Sequence, residues 1–287
     1  MNAKKKRKIR ILTVCAAILI AFVVWVLWAN TALVLSVHTV QSERLPASFD
    51  GYRIAHVSDL HNAEMGKDNG KLLDMLREAE PDLIVITGDI VDCHRTDIEV
   101  ALAFAEKAAE IAPCYYVAGN HEERIGEEYD RLRSGLTERN VTVLENEKTE
   151  LTRGGESIVL MGVDDPGFQV HYLSDDCAAV TENKLQDLAI EENRYHVLLS
   201  HRPELFALYA QYGIDLVFTG HAHGGQFRLP LIGGLYAPNQ GVFPEYDSGL
   251  YTESDTNMLV SRGIGNSLFP LRFHNRPEVV LVELKTK

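Results

Sequence analysis

The chain has 287 residues, 46% hydrophobic and 24% charged, a length that accommodates one large domain or two small ones. Its formal net charge is −13, and Lys4, Lys5, Lys6, Arg7, Lys8 and Arg10 place six positive charges and no acidic side chain in the first ten residues, so the rest carries −19. A body that acidic is a poor match for nucleic acid, which requires a basic face; no nucleic-acid partner is expected, and the charge reads either as attraction for divalent cations or as a solvated acidic surface.

Residues 1–10 read as a cytoplasmic basic segment and residues 11–36 as a transmembrane anchor. No charged residue lies between Ile11 and Ala29. That run crosses a hydrocarbon core of roughly 30 Å as a helix. Trp25 and Trp28 stand toward its far end, where indole rings favour the interface. The positive-inside rule keeps the N-terminus cytoplasmic and puts the rest across the membrane. A cleaved signal peptide fits less well, because the apolar run is long and its exit, Trp28-Ala29-Asn30-Thr31-Ala32, has no clean pair of small residues. The expectation is a single-pass protein with its folded domain on the extracytoplasmic face.

Residues 37–50 read as a stalk or edge strand, and residues 51–287 as one folded domain. Strands are expected at 52–58, 83–87 and 114–118, with helices at 71–79, 98–112 and 127–140. Such alternation predicts parallel pairing with helices on the sheet faces. Short strands at 141–144, 149–152 and 157–163 look antiparallel. A helix at 182–191, a strand at 196–200, a helix at 204–212 and a strand at 215–219 follow, and two strands at 258–261 and 278–284 close the chain. The expected class is mixed α/β with two sheet halves. The four cysteines contain no CxxC pair, so neither a zinc knuckle nor a disulfide framework is indicated.

Ionisable residues recur where strands end. The sequence reads Ser58-Asp59-Leu60-His61, Gly88-Asp89-Ile90-Val91-Asp92, Gly119-Asn120-His121-Glu122, Ser200-His201 and Gly220-His221-Ala222-His223-Gly224-Gly225. The carboxyl edge of an open α/β sheet is where ligands bind. Carboxylate, carboxamide and imidazole donors together suit Mn, Fe or Zn before Mg or Ca, and do not suit thiophilic ions. Asp59, His61, Asp89, Asn120, His201, His221 and His223 are too many donors for one four-coordinate ion. They fit two ions sharing a bridging carboxylate, an arrangement able to hold a bridging hydroxide and clamp a phosphoryl group. Asp164 and Asp165 read as a solvated turn before Pro166. The glycines around His221 and His223 are expected to keep the backbone clear of a bound phosphate. Arg228, Tyr236, Asn239, Tyr246, Arg262 and Asn266, in the glycine-rich tail, read as loop packing before substrate contact.

These five blocks, in this order, resemble the calcineurin-like metallophosphoesterase family from Tyr52 to about Gly225. Later blocks, Pro238-Asn239-Gln240-Gly241, Ser261-Arg262-Gly263 and Arg276-Pro277-Glu278, resemble a membrane-anchored or exported bacterial phosphodiesterase branch that includes enzymes similar to lipid-linked UDP-sugar pyrophosphatases. The resemblance implies a four-layer αββα sandwich of two mixed sheets flanked by helices. It implies two divalent metal ions, with Asp59, His61 and His223 on the first, Asn120, His201 and His221 on the second, and Asp89 bridging. His121 would lie outside the metal shell as the catalytic histidine, and Asp92 and Glu122 would support ligating or catalytic histidines. The implied activity is metal-dependent hydrolysis of phosphate esters or anhydrides, with a metal-bridging hydroxide as nucleophile. Its substrate would be a phosphorylated small molecule, lipid or wall polymer. The alternative from another class is a non-catalytic, membrane-anchored metal-binding or scaffold module.

Overall fold

The computed structural model describes residues 3–171, 176–191, 193–267 and 269–287. Met1 and Asn2 of the basic segment lie outside them. Helix α1 (Ala3–Thr31) leads through Ala32 and Leu33 directly into strand β1 (Val34–Ser42). The apolar helix therefore ends at Thr31 and not at residue 36, because residues 34–36 are already pairing in a sheet. The 37–50 segment supplies an edge strand, with no stalk before it.

Two six-stranded sheets form the middle layers. The first contains β1, β2 (Arg53–Val57), β3 (Leu83–Thr87), β4 (Cys114–Val117), β5 (Val141–Val143) and the last strand of the chain, β12 (Glu278–Thr286). Its order is β1-β12-β2-β3-β4-β5. β12 runs parallel to β1 and antiparallel to β2, and the remaining pairs are parallel. The second contains β6 (Glu147–Arg153), β7 (Glu156–Gly162), β8 (His196–Leu199), β9 (Leu216–Thr219), β10 (Gly249–Glu253) and β11 (Thr256–Val260). Its order is β10-β11-β9-β8-β7-β6, parallel in the centre and antiparallel at both outer pairs. Of the three short strands expected to be antiparallel, β6 and β7 are. β5 instead pairs in parallel with β4, because α5 (Glu128–Glu138) returns the chain to the edge of the first sheet. The long hydrophobic runs follow from burial on both faces, where alternation with polar residues is lost.

Three apolar layers explain the stacking. Leu83 and Val85 of β3 face Val197, Leu199, Leu216 and Phe218 of the other sheet. Ile84 and Ile86, one residue out of phase, pack against α2 (Gly70–Ala79) and α3 (Ile98–Ala109) through Leu72, Leu76, Ala101 and Ala105. Leu198 and Val217 point the other way, onto Leu185 of α6 (Cys177–Asp187) and Phe206 and Tyr209 of α7 (Phe206–Gln211). The period of two along each strand thus sorts side chains between the inter-sheet core and the helices, and burying each large one contributes about 1.5–3 kcal/mol. α6 begins at Cys177, five residues before the helix expected from the sequence pattern. Cys15, Cys93 and Cys114 form no disulfide among the described residues.

Candidate metal centre

The carboxyl ends of β2, β3, β4, β8 and β9 come to one edge of the sandwich. Asp59 and His61 follow β2, Asp89 follows β3, and Asn120 and His121 open the short helix α4 (Asn120–Arg124) after β4. His201 follows β8, and His221 and His223 follow β9. All are buried. Three of these strands, β2, β3 and β9, break abruptly: Asp59, His61, Asp89, His221 and His223 have φ of 52°, 46°, 51°, 64° and 49°. Left-handed backbone at five non-glycine residues is unfavourable and persists where surrounding structure over-determines it, as at functional sites.

The side chains form two clusters. In one, His61 Nε2 lies 3.2 Å from His223 Nε2, 3.7 Å from Asp89 Oδ2 and 3.9 Å from Asp59 Oδ1. His223 Nε2 is 3.4 Å from Asp59 Oδ1. In the other, His201 Nε2 is 3.1 Å from the same Asp89 Oδ2, with His221 beside it. Asp89 Oδ2 therefore faces both clusters, while Oδ1 accepts the His121 backbone N–H at 2.8 Å. Donors about 3 Å apart match ligands that each reach one ion at about 2.0–2.2 Å. Asn120 Oδ1 is buried without a hydrogen-bond partner. Leaving such an acceptor unmet costs about 1–3 kcal/mol, and a cation offers its lone pairs a partner. The donors present therefore fit two divalent ions.

Ring orientation is fixed by hydrogen bonds outside the clusters, as ligating imidazoles require. His201 Nδ1 donates to the Thr87 carbonyl at 2.6 Å and leaves Nε2 facing Asp89. His221 Nε2 meets Asn239 Oδ1 at 2.9 Å and leaves Nδ1. Burial holds His61 and His221 well below the usual imidazole range and brings His223 to about 4, so these rings are neutral donors. At His201 burial acts in the same direction but is outweighed by Asp89, which raises the ring to about 10. His201 Nε2 is, like Asn120 Oδ1, buried without a hydrogen-bond partner. His121 takes the Cys93 backbone N–H on Nδ1 at 3.0 Å, which puts its ring proton on Nε2. That atom lies 3.2 Å from Ser267 Oγ and 4.0 Å from Asp89 Oδ2. It faces a cavity of about 500 Å³ whose lining includes Asn120, Arg124, Phe227, Tyr236 and Phe269.

The structure brings together all seven candidate ligands and His121. The Glu122 carboxylate accepts the backbone N–H groups of Gly119 and Asp89, both at 2.7 Å, Ile90 at 2.8 Å and Val91 at 3.3 Å. It thereby ties the β3 and β4 loops together. Asp92 caps its own turn, accepting from the His94 backbone N–H at 2.9 Å and from Arg95 at 2.8 Å. Asp165 corrects the sequence reading. It is buried, and its carboxylate takes a bidentate contact from buried Arg202, at 2.5 Å from Nε and 2.9 Å from Nη2. Arg202 Nη1 stands 3.3 Å from the His221 ring. No periodicity marks a pair 37 residues apart; the one local signal is that Arg202 adjoins His201. Asn239 and Ser267 contact His221 and His121, and Arg272 is buried beside His223. The glycines around His221 and His223 make room for neighbouring chain: a Cβ on Gly220 would strike Ser58 and the Asp59 carboxylate, one on Gly224 would meet Arg262 and Asn275, and one on Gly225 would meet Gly234.

A family model described as calcineurin-like phosphoesterase matches residues 52–225. The chain is 30% identical over 258 residues to the uncharacterized metallophosphoesterase YkuE of Bacillus subtilis (strain 168), covering 87% of this chain and 84% of that protein. It is 31% identical over 214 residues to phosphodiesterase YaeI of Escherichia coli (strain K12), covering 72% of each. The solved structure of TT1561 of Thermus thermophilus superposes with a TM-score of 0.51 at 15% identity, over 74% of this chain and 90% of that one, a likeness of fold.

Proposed function

The chain belongs to the calcineurin-like phosphoesterase family and is a metal-dependent phosphoesterase, and from that premise we propose how its residues divide the work. Asp59, His61 and His223 hold one divalent ion. Asn120, His201 and His221 hold a second, and Asp89 bridges. The observation that carries this reading is Asp89 Oδ2 facing His61 on one side and His201 on the other. Ions held there would neutralise charge on the phosphoryl oxygens and acidify a water molecule.

The chain's own groups do the rest. His121, with its single ring proton on Nε2 at the cavity wall, donates a hydrogen bond from that atom to a phosphoryl or departing oxygen and stabilises the charge that develops there. The Cys93 N–H holds the ring so that this atom, and not Nδ1, faces the cavity. Glu122 fixes the Asp89 and Gly119 backbones, and with them the bridging carboxylate. Phe227, Tyr236 and Phe269 give the cavity an apolar wall that limits water around the ester. α1, long and apolar enough to span a membrane, anchors the chain with its N-terminus cytoplasmic and the site on the extracytoplasmic face, where phosphorylated small molecules, lipids or wall polymers are the substrates.

The test uses the full chain loaded with Mn, Fe or Zn and a chromogenic phosphodiester. Asp89→Asn is expected to lose metal-dependent turnover by about 10²-fold or more, since it weakens both ion sites. His121→Gln is expected to lower kcat about 10²- to 10⁴-fold while binding the same number of ions. Full activity in Asp89→Asn would defeat the assignment, and a reporter fused at the C-terminus that reads cytoplasmic would defeat the topology.

A further inference from the structure

The last turns of α1 are fastened to the rim of the cavity. Only Ala32 and Leu33 separate α1 from the sheet. Trp25 packs edge-on against Phe273 with centroids 5.4 Å apart. The Asn30 carboxamide accepts the Arg272 N–H at 2.7 Å and donates to its carbonyl at 3.0 Å. Arg276 lies over the Trp28 ring at 5.1 Å and donates to the Ala32 carbonyl at 2.7 Å.

A narrow backbone ladder runs from that attachment. Arg228 N–H donates to the Phe273 carbonyl at 2.9 Å, Leu235 to Phe227 at 2.8 Å and Phe243 to Leu235 at 2.9 Å. Two short hairpins, Arg228–Leu229 with Gly233–Gly234 and Tyr236–Ala237 with Gly241–Val242, complete it. Leu231, Ile232, Val242, Phe243, Phe269 and Leu271 are all exposed on this ladder and its flank, Leu231 fully. Phe227 and Phe269, ring to ring at 5.2 Å, join this surface to the cavity they line. Six large apolar side chains exposed together mark an interaction site, whereas single exposed apolar residues do not. Its continuity with α1 identifies the partner. Indoles near the end of a spanning helix, as Trp25 and Trp28 are in α1, favour the membrane–water boundary, and a ladder bonded to those same turns would be held at that depth.

We propose that this apolar ladder is seated in the lipid interface beside the exit of α1, and that the cavity it walls receives phosphate esters carried by membrane lipids. The inference rests on α1 spanning the membrane and on the site hydrolysing phosphate esters. The acidic body gives no electrostatic attraction to anionic lipid, so the contact is apolar and survives raised salt.

The experiment uses the full chain in phosphatidylcholine nanodiscs. Leu231→Trp and Phe243→Trp each add one indole, with the wild-type emission of Trp25 and Trp28 subtracted. Thr152→Trp, at the opposite edge of the sandwich beside the Gly154-Gly155 turn, serves as the control. Brominated phosphatidylcholine is expected to quench the added indoles at 231 and 243 about twofold or more, and not the control. Leu231→Asp with Ile232→Asp is expected to lower kcat/KM on a lipid-borne phosphodiester about tenfold or more, as loss of two aliphatic contacts with lipid predicts, and to leave a soluble chromogenic diester unaffected. Disc-inserted chains whose added indoles stay as bright as the control overturn the inference. So do aspartates that change neither substrate or both equally, and shielding of the indoles that appears only in a dimer. A wild-type chain inactive on both the soluble and the lipid-borne diester, with the indoles added at 231 and 243 quenched in their variants, would defeat the hydrolase reading and the lipid-substrate half of the inference while retaining the seated surface. A chain that fails to enter discs would defeat the anchor.

Discussion

Replacing Glu122 by glutamine tests how the two halves of the centre are held together. The carboxylate takes four backbone N–H groups, two on each oxygen: Gly119 and Asp89 on Oε2, Ile90 and Val91 on Oε1. A glutamine keeps one oxygen and turns an amide toward the other pair, leaving two buried donors facing a donor. Each orphaned N–H costs about 1–3 kcal/mol, so Glu122→Gln is expected to destabilise the domain by about 2–6 kcal/mol. That is a large part of the roughly 5–15 kcal/mol that keeps a domain folded. The measurement is the denaturation midpoint of wild type and variant at pH 8.5. Burial and the Asp89 charge raise the Glu122 pKa to about 7, so the side chain is ionised at that pH. Metal affinity should fall with stability, because the Asp89 backbone is among the groups released. A loss below about 1 kcal/mol with unchanged metal affinity would refute the argument that this carboxylate ties the β3 and β4 loops.

Other outcomes follow from the same geometry. His201 is held protonated by Asp89, with its pKa raised to about 10, so an ion entering that cluster must expel the proton. Below that pKa the affinity is expected to fall about tenfold for each pH unit of acidification between pH 8 and 6, with about one proton released per ion at that cluster; calorimetry in buffers of different ionisation enthalpy measures both, and flat affinity without proton release would refute it. Gly220→Ala drives a Cβ into Ser58 and Asp59; it is expected to cost about 1–3 kcal/mol by denaturation and to weaken metal binding. Arg202→Met strands the buried Asp165 carboxylate and is expected to cost about 3–5 kcal/mol, whereas Arg202→Met with Asp165→Leu restores most of that stability. A double variant less stable than the single one would contradict this account of the pair.

The sequence by itself determined the parts governed by short-range pattern. Apolar runs with turns between them marked β2, β3, β4, β8 and β9, and the residue following each run is local information. Asp59, Asp89, Asn120, His201 and His221 were legible as strand-end residues before any contact was known. The long uncharged run that became α1 was legible for the same reason. Pairing in space depends on tertiary contact. The 34–42 strand finds its neighbour at 278–286, and β5 joins the first sheet although its sequence resembles that of its antiparallel followers. Asp165 looked like a surface turn because burial depends on what covers a residue, and Arg202 covers it from 37 positions away. Asn30 meets Arg272 across 242 positions, which ties the end of α1 to the segment that follows Ser267 and Phe269 of the cavity wall. Hydrophobic period and turn chemistry are properties of neighbouring residues and survive in the sequence. The partners of a buried charge, the clearance a glycine provides and the face a helix end occupies arise only when distant segments pack.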